Sequence, residues 1–139
     1  ERALQQLLVA GAREGLIRSA HDCAEGGLAV TLAECAFGTG GLGLKVDVPG
    51  VAAPDAWVST STLFAESASR VAVSVSRDRL GALLDRAQAL SVPAREGGVT
   101  GSSPIAVSVD GCGVIDVAVS EAETLWESAL ENYFKQRAA

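Results

Sequence analysis

Apolar and polar positions divide the chain into helical and extended stretches. Over residues 3–18, Leu4, Leu7, Leu8, Gly11 and Gly15 recur at helical spacing while Arg13, Glu14 and Arg18 fall elsewhere, which predicts an amphipathic helix. Gly15 either continues that face or terminates the helix. A second helix is predicted over 23–36, with Leu28, Leu32 and Cys35 or Ala36 facing inward. The run "GTGGLG" (38–43) then breaks the helix, and Leu42, Leu44, Val46 and Val48 alternate as the buried face of a strand. Residues 49–68 show no clear period and read as a long loop with room for a short helical turn, a kind of segment that is usually functional. Val71, Val73 and Val75 mark the next strand, and Leu80, Leu83, Leu84 and Ala87 the helix after it.

A short extended piece is expected near 92–99. Ile105, Val107 and Val109 alternate up to Asp110-Gly111, a strong hairpin signal, with Val114–Val119 as the returning strand. Ser120 and Glu123 match a capping box, and Trp126, Ala129, Leu130 and Tyr133 form the apolar stripe of a last helix. Strands in hairpins with helices grouped around them predict an α+β fold: a mixed, mostly antiparallel sheet with packed helices.

Composition narrows the function classes. The 139 residues suit a single domain, and 48% hydrophobic with 20% charged residues excludes wholesale disorder. A net charge of -6 argues against a general nucleic-acid or acidic-membrane surface, since phosphate neutralisation needs clustered Lys and Arg. No apolar run approaches the length of a membrane span, and no signal-peptide pattern opens the chain. Cys23, Cys35 and Cys112 lack any zinc-ligand spacing and read as buried reduced thiols of a cytoplasmic protein. The chain has no Met, not even at position 1, where Glu1 already sits in a helical pattern. It reads as a domain fragment of a longer multidomain polypeptide.

Two segments carry candidate chemistry. "GTGGLG" is not a dinucleotide fingerprint, because that motif needs a strand before the glycines and a helix after them, and here the order is reversed. "SAHDCAEGGLAVTLAECA" (19–36) is more informative. Asp22 and Glu25 fit a capping box, which explains the acids but not Gly26 and Gly27. Two glycines in helical positions cost nearly 2 kcal/mol relative to alanine, at about 0.8–1 kcal/mol each. Close approach of a neighbour, or a ligand on first-turn amides, would offset that. His21 is a satisfied hinge or core histidine, or a proton donor or ligand group. "LFAESASR" (63–70) ends the long loop, where Glu66 is either a surface acid or partnered with Arg70, and Ser67 and Ser69 are able to cap or bind anions.

Together "SAHDCAEGGLAVTLAECA" and "LFAESASRVAVSV" resemble the C-terminal domain of the aminoimidazole ribonucleotide synthetase superfamily. Within it they most resemble the large subunits of phosphoribosylformylglycinamidine synthases, which typically carry H-D-x-S-D-G-G-L-A-x-A-L-A-E and L-F-G-E-S-Q-S-R. His21, Asp22, Gly26 and Gly27 match the first pattern, and Phe64, Glu66, Ser67 and Arg70 the second. Ala24, Glu25 and Ala68 depart from it, which puts direct substrate contact in doubt and suits the copy that serves a structural, pseudo-symmetric nucleotide site.

The resemblance implies that the parent enzyme converts formylglycinamide ribonucleotide, glutamine-derived ammonia and ATP to formylglycinamidine ribonucleotide, ADP and phosphate. ATP and Mg2+ would be cofactors of that parent, with none expected to bind tightly to this domain alone. His21, Asp22, Gly26, Gly27, Glu66, Ser67 and Arg70 are then ligand-binding or domain-interface residues, with no catalytic or metal-ligating residue among them. The implied partners are the N-terminal domains of the same chain, a glutaminase and small accessory subunits. Neither nucleic acid nor membrane is expected, and an exposed apolar face would favour self-association. The alternative is a non-catalytic interaction or scaffold domain of the same fold.

Overall fold

The computed structural model describes residues 1–102 and 104–137. It forms two compact units, one of Glu1–Thr31 and Phe64–Gly97, the other of Leu32–Leu63 and Gly98–Ala139. Ala138 and Ala139, the end of the predicted single domain, lie outside the described residues. The elements are α1 (Arg2–Arg13), β1 (Ser19–Asp22), α2 (Gly27–Glu34), β2 (Leu42–Val48), a 3-10 turn (Asp55–Trp57), α3 (Val58–Phe64), β3 (Val71–Ser74), α4 (Arg77–Ala89), β4 (Gly98–Ser102), β5 (Ile105–Val109), β6 (Cys112–Val117) and α5 (Val119–Arg137). The class is α+β as expected: among the described residues every strand pair is antiparallel except β2 with β5. Among the described residues no helix is long and apolar enough to cross a membrane.

The first unit is built on the apolar faces of α1 and α4. Leu7, Leu16, Leu83 and Ala87 are buried together, with Ile17, Val75, Leu90 and Val92 packed against them. Ile17 and Val75 flank one end of a two-stranded ribbon in which β1 and β3 pair antiparallel, Ser19 opposite Ser74 and Asp22 opposite Val71. The Arg18 amide extends the ladder by donating to the Ser74 carbonyl at 2.8 Å. Arg86 Nη2 reaches both carboxylate oxygens of Glu14 at 2.7 Å. That half-exposed pair contributes about 0–1 kcal/mol, so apolar burial holds the two helices.

The second unit is a four-stranded sheet ordered β4-β2-β5-β6. Its core comes from the alternation already visible in the chain: Leu44 and Val48 of β2, and Ile105, Val107 and Val109 of β5, are buried. The predicted Asp110-Gly111 hairpin forms, with φ of 50° and 76° at the two positions. Left-handed backbone at both central residues is the type I′ geometry whose twist matches the flanking strands. The turn is clipped from outside as well, because Gly50 N–H donates to Asp110 Oδ1 at 3.0 Å and Gly111 N–H to Asp47 Oδ1 at 2.9 Å.

Several expectations are corrected. The strand β1 was not anticipated, since "SAHD" has no apolar alternation and its pairing is supplied by β3 from fifty residues away. The 49–68 loop contains α3, whose low-propensity "VSTSTLF" is held by buried Thr62, donating to the Val58 carbonyl at 2.7 Å and accepting from Val51 N–H at 3.0 Å. The second helix starts at Gly27, so Asp22, at the end of β1, does not cap it. The last helix starts at Val119, and Glu123 Oε1 accepts from Gly38 N–H at 2.6 Å rather than closing a box with Ser120. Of the cysteines only Cys23 is buried; Cys35 and Cys112 are exposed. Most of the last helix's apolar stripe is also exposed, including Trp126, Leu130 and Tyr133.

Two glycines of β4 separate space from composition. A Cβ on Gly98 would overlap the Lys45 carbonyl oxygen and lie 2.7 Å from Val46 Cα, both backbone atoms that cannot rotate away. A Cβ on Gly101 meets nothing within 4 Å. Gly98→Ala is therefore expected to lower unfolding free energy by about 2–3 kcal/mol, whereas Gly101→Ala changes it by no more than about 0.5 kcal/mol. Urea denaturation of the two variants checks the contrast, and equal midpoints would refute it.

Candidate functional site

The antiparallel register of β1 on β3 decides where the two sequence motifs go. Asp22 and Val71 end the ladder together, and the Cys23 amide still donates to the Arg70 carbonyl at 2.8 Å. The segment leaving β1 and the segment entering β3 therefore lie side by side. Residues forty positions apart meet there: Gly26 N–H donates to Glu66 Oε1 at 3.0 Å.

Gly26 and Gly27 have φ of +77° and +66°. Left-handed backbone costs a residue with a Cβ roughly 1–2 kcal/mol, so the pair makes the turn that enters α2, with Gly27 as its first residue. At Gly26 space is short too, since a Cβ would overlap the Val30 side chain. Close approach thus contributes at Gly26, and the neighbour is Val30, one turn along in α2. Buried Thr31 fastens the same turn, its hydroxyl donating to the Gly27 carbonyl at 3.0 Å and the Asp22 carbonyl at 3.2 Å.

The second motif is folded by its own arginine. Arg70 Nη2 donates to the Ala65 carbonyl at 2.7 Å, closing residues 65–70 into a loop. Ser69 within it has φ of +62°, a conformation few serines adopt. Arg70 Nε is buried with no hydrogen-bond partner. The sequence-level pairing of Arg70 with Glu66 is not formed; the carboxylate goes to Gly26 and the guanidinium to a carbonyl.

Between these loops and α1 lies an open cleft of about 560 Å3. Asp22 to Glu25 form one wall, Glu66 to Val71 another, and Glu1, Leu4, Gln5 and Leu8 the third. Asp22, Glu66, Ser67 and Arg70 of the predicted site line it, and Gly26 is tied to its edge. His21 and Gly27 are not among its lining residues. The His21 ring lies with Nδ1 2.8 Å from the Asp22 carbonyl oxygen. A carbonyl only accepts, so this contact places a proton on Nδ1. Sequence reasoning missed the α1 wall, although Leu4 and Leu8 offered a signal: they share the apolar face with Leu7, yet only Leu7 is fully buried.

Electrostatically the cleft is one-sided. Glu1, Asp22, Glu25 and Glu66 face it with Arg70 as the counter-charge. A bare phosphate meets repulsion from the carboxylates, and only a ligand bringing cations or using backbone amides is accommodated. Among the described residues no three His, Cys, Asp or Glu side chains converge in a metal-holding group. The carboxylates present fit a magnesium ion only in the mode where phosphates and water supply most ligands.

Fold and cleft together define a class. Residues 1–110 match the family described as AIR synthase related protein, C-terminal domain, and the chain belongs to that family. The subunit PurL of phosphoribosylformylglycinamidine synthase from Thermobifida fusca is 40% identical over 134 residues, covering 96% of this chain and 16% of its own length. The same subunit from Chlorobaculum tepidum is 36% identical, covering 95% and 18%. The chain thus spans about a sixth of the curated relatives it matches. Among solved structures, Thermotoga maritima PurL complexed with ATP superposes with a TM-score of 0.74 at 24% identity, over 87% of this chain and 21% of that one. The complex of that protein with FGAR gives 0.73 at 22%, over 87% and 20%. At that identity the likeness establishes the fold.

Substitutions at two positions test the turn. If the glycines were helical, Gly26→Ala would stabilise the chain by about 1 kcal/mol. The left-handed turn predicts the opposite sign, a loss of about 2–4 kcal/mol from backbone strain plus overlap, read from thermal or urea unfolding. Glu66→Ala is expected to speed hydrogen exchange at the Gly26 amide while lowering stability by only about 1 kcal/mol. Glu66→Gln, which keeps the acceptor oxygen, leaves that exchange nearly unchanged in an NMR measurement.

Proposed function

We propose that this chain is the C-terminal domain of a phosphoribosylformylglycinamidine synthase subunit, an ATP-dependent ligase of purine biosynthesis in the cytoplasm. The observation that supports this most directly is the meeting of the two motif segments, Gly26 against Glu66, on a cleft with three walls. Synthase subunits are also the relatives matched along nearly the whole chain.

In this reading the cleft is one side of a ligand site, and the opposing side comes from the rest of a longer polypeptide. Asp22, Gly26, Glu66, Ser67 and Arg70 contact the ligand or the neighbouring domain that holds it, while His21 and Gly27 set the turn that presents them. Bound ATP supplies the phosphate that activates the amide oxygen of formylglycinamide ribonucleotide toward ammonia. In this reading the residues of this chain orient and enclose the ligand, and proton transfer belongs to the rest of the polypeptide. With Ala24 and Ala68 at motif positions that are polar in the family, the side suits a retained nucleotide better than the reacting ribonucleotide. Partners follow as the other domains of the polypeptide, a glutaminase and small accessory subunits; one structural neighbour is the PurLQS assembly of Thermotoga maritima.

The experiment is a domain exchange. The matched region of the Thermobifida fusca subunit is replaced by this chain, and ammonia- and ATP-dependent formation of formylglycinamidine ribonucleotide is measured. Turnover by the chimera is expected, while the 139-residue chain alone shows none and binds ATP and ADP weakly. A chimera that folds, assembles with its partner subunits and stays inactive would sink the synthase reading in favour of a scaffold domain of the same fold.

A further inference from the structure

One peptide of the cleft wall is held less firmly than its neighbours. Ala68 and Ser69 are the central residues of a turn from Ser67 to Arg70, and of the two only Ser69 has a positive φ, +62°. Negative then positive φ is the pattern of a type II turn, whose third residue is ordinarily glycine. Both ends of the segment are pinned. Glu66 is bound to the Gly26 amide, while Arg70 accepts from the Cys23 amide through its carbonyl and donates to the Ala65 carbonyl through Nη2. Nothing comparable holds the middle. Among the described residues the amides of Ser67, Ala68 and Ser69 donate to no protein acceptor, and Arg70 Nε is buried without one. Strained backbone persists where its surroundings over-determine it, and it clusters at ligand clamps and switches. Here the strain lies on the cleft wall, which Ser67, Ala68, Ser69 and Arg70 all line, and a single guanidinium bond closes the loop around it.

Turning the Ala68–Ser69 peptide over converts a type II turn to type I, and φ at the third residue goes from positive to about −90°. The pinned positions on either side need not move. The Ala68 carbonyl and the Ser69 N–H exchange sides, so the cleft wall presents a donor where it had an acceptor, or the reverse. Arg70 links this flip to an occupant. Its bond to Ala65 keeps the loop closed around the left-handed residue. An anionic group that arrives with its cation and takes the guanidinium frees Ala65 and lets Ser69 relax. We propose that the Ala68–Ser69 peptide is a two-position element with Ser69 as its positioning residue. It is left-handed in the closed loop and turned over to negative φ when an anionic occupant engages Arg70. The proposal rests on the reading of the cleft as a ligand site. An occupant shifts such an equilibrium only by its differential affinity for the two forms, so whatever favours the left-handed form opposes binding.

The test titrates the full chain with ATP and Mg2+, followed by NMR. At saturation the distance between the Ser69 amide and α protons is expected to lengthen, as it does when φ turns negative. Ser69→Gly and Ser69→Ala lose the same hydroxyl, but only glycine accepts left-handed φ without penalty. Relative to Ser69→Ala, Ser69→Gly should show a higher urea midpoint and yet bind about 5–30-fold more weakly, the left-handed preference expressed as affinity. A turn with a structural role alone shows the first effect without the second. Equal affinity of the two variants, or a Ser69 still left-handed at saturation, overturns the proposal. If the chain binds no ATP, the nucleotide reading of the cleft fails instead, and the flip is read without it. Exchange broadening at the Ser69 and Arg70 amides, removed by Ser69→Gly, then supports the two positions, and sharp signals at both amides overturn them.

Discussion

The register of β1 on β3 is the constraint on which the candidate site depends. Side chains alternate across a strand, so a one-residue slip would turn His21 and Asp22 to opposite faces and carry Gly26 away from Glu66. Two strands alone are marginal in water, and this ribbon is steadied at one end by Ile17 and Val75, which join the core between α1 and α4. Its other end opens into the motif loops. The helical core thus sets the ribbon, the ribbon sets the loops, and the loops set the cleft.

At the cleft the same backbone is held in conformations that ordinary side chains resist. Gly26 and Gly27 accept left-handed φ without penalty, whereas Ser69 does so at a cost, and Arg70 supplies the loop-closing bond that helps hold it there. The carboxylates compound this arrangement. Glu66 spends one oxygen on the Gly26 amide, which offsets part of its repulsion from Asp22 and Glu25. Among the described residues, Arg70 Nε is a buried side-chain donor left without a partner.

Legibility in the sequence followed the range of the determining forces. Ile105, Val107 and Val109, the Asp110-Gly111 turn and the helical repeat of Leu83 and Ala87 are local patterns, and each gave the element it predicted. Both capping boxes failed because tertiary structure moved a helix start or redirected an acid. Glu123 bonds Gly38, eighty-five residues away, and the motif turn moves the start of α2 past Asp22. The helix α3 was hidden because Thr62 replaces the propensity its segment lacks with two buried hydrogen bonds. Cys35 and Cys112 show that a small apolar side chain is no guide to depth when its face of the element happens to be outward.

By itself the sequence determined the fold class, most helices and strands, and the two segments that matter, because hydrophobic period, turn chemistry and motif spacing are written along the chain. It also raised the glycine pair as an energetic anomaly. Tertiary structure decided what that anomaly means: a left-handed turn, crowded by Val30, whose amide is taken by a carboxylate from the second motif. No local reading reaches that result, since the contact joins residues forty positions apart and exists only when β1 and β3 are in register.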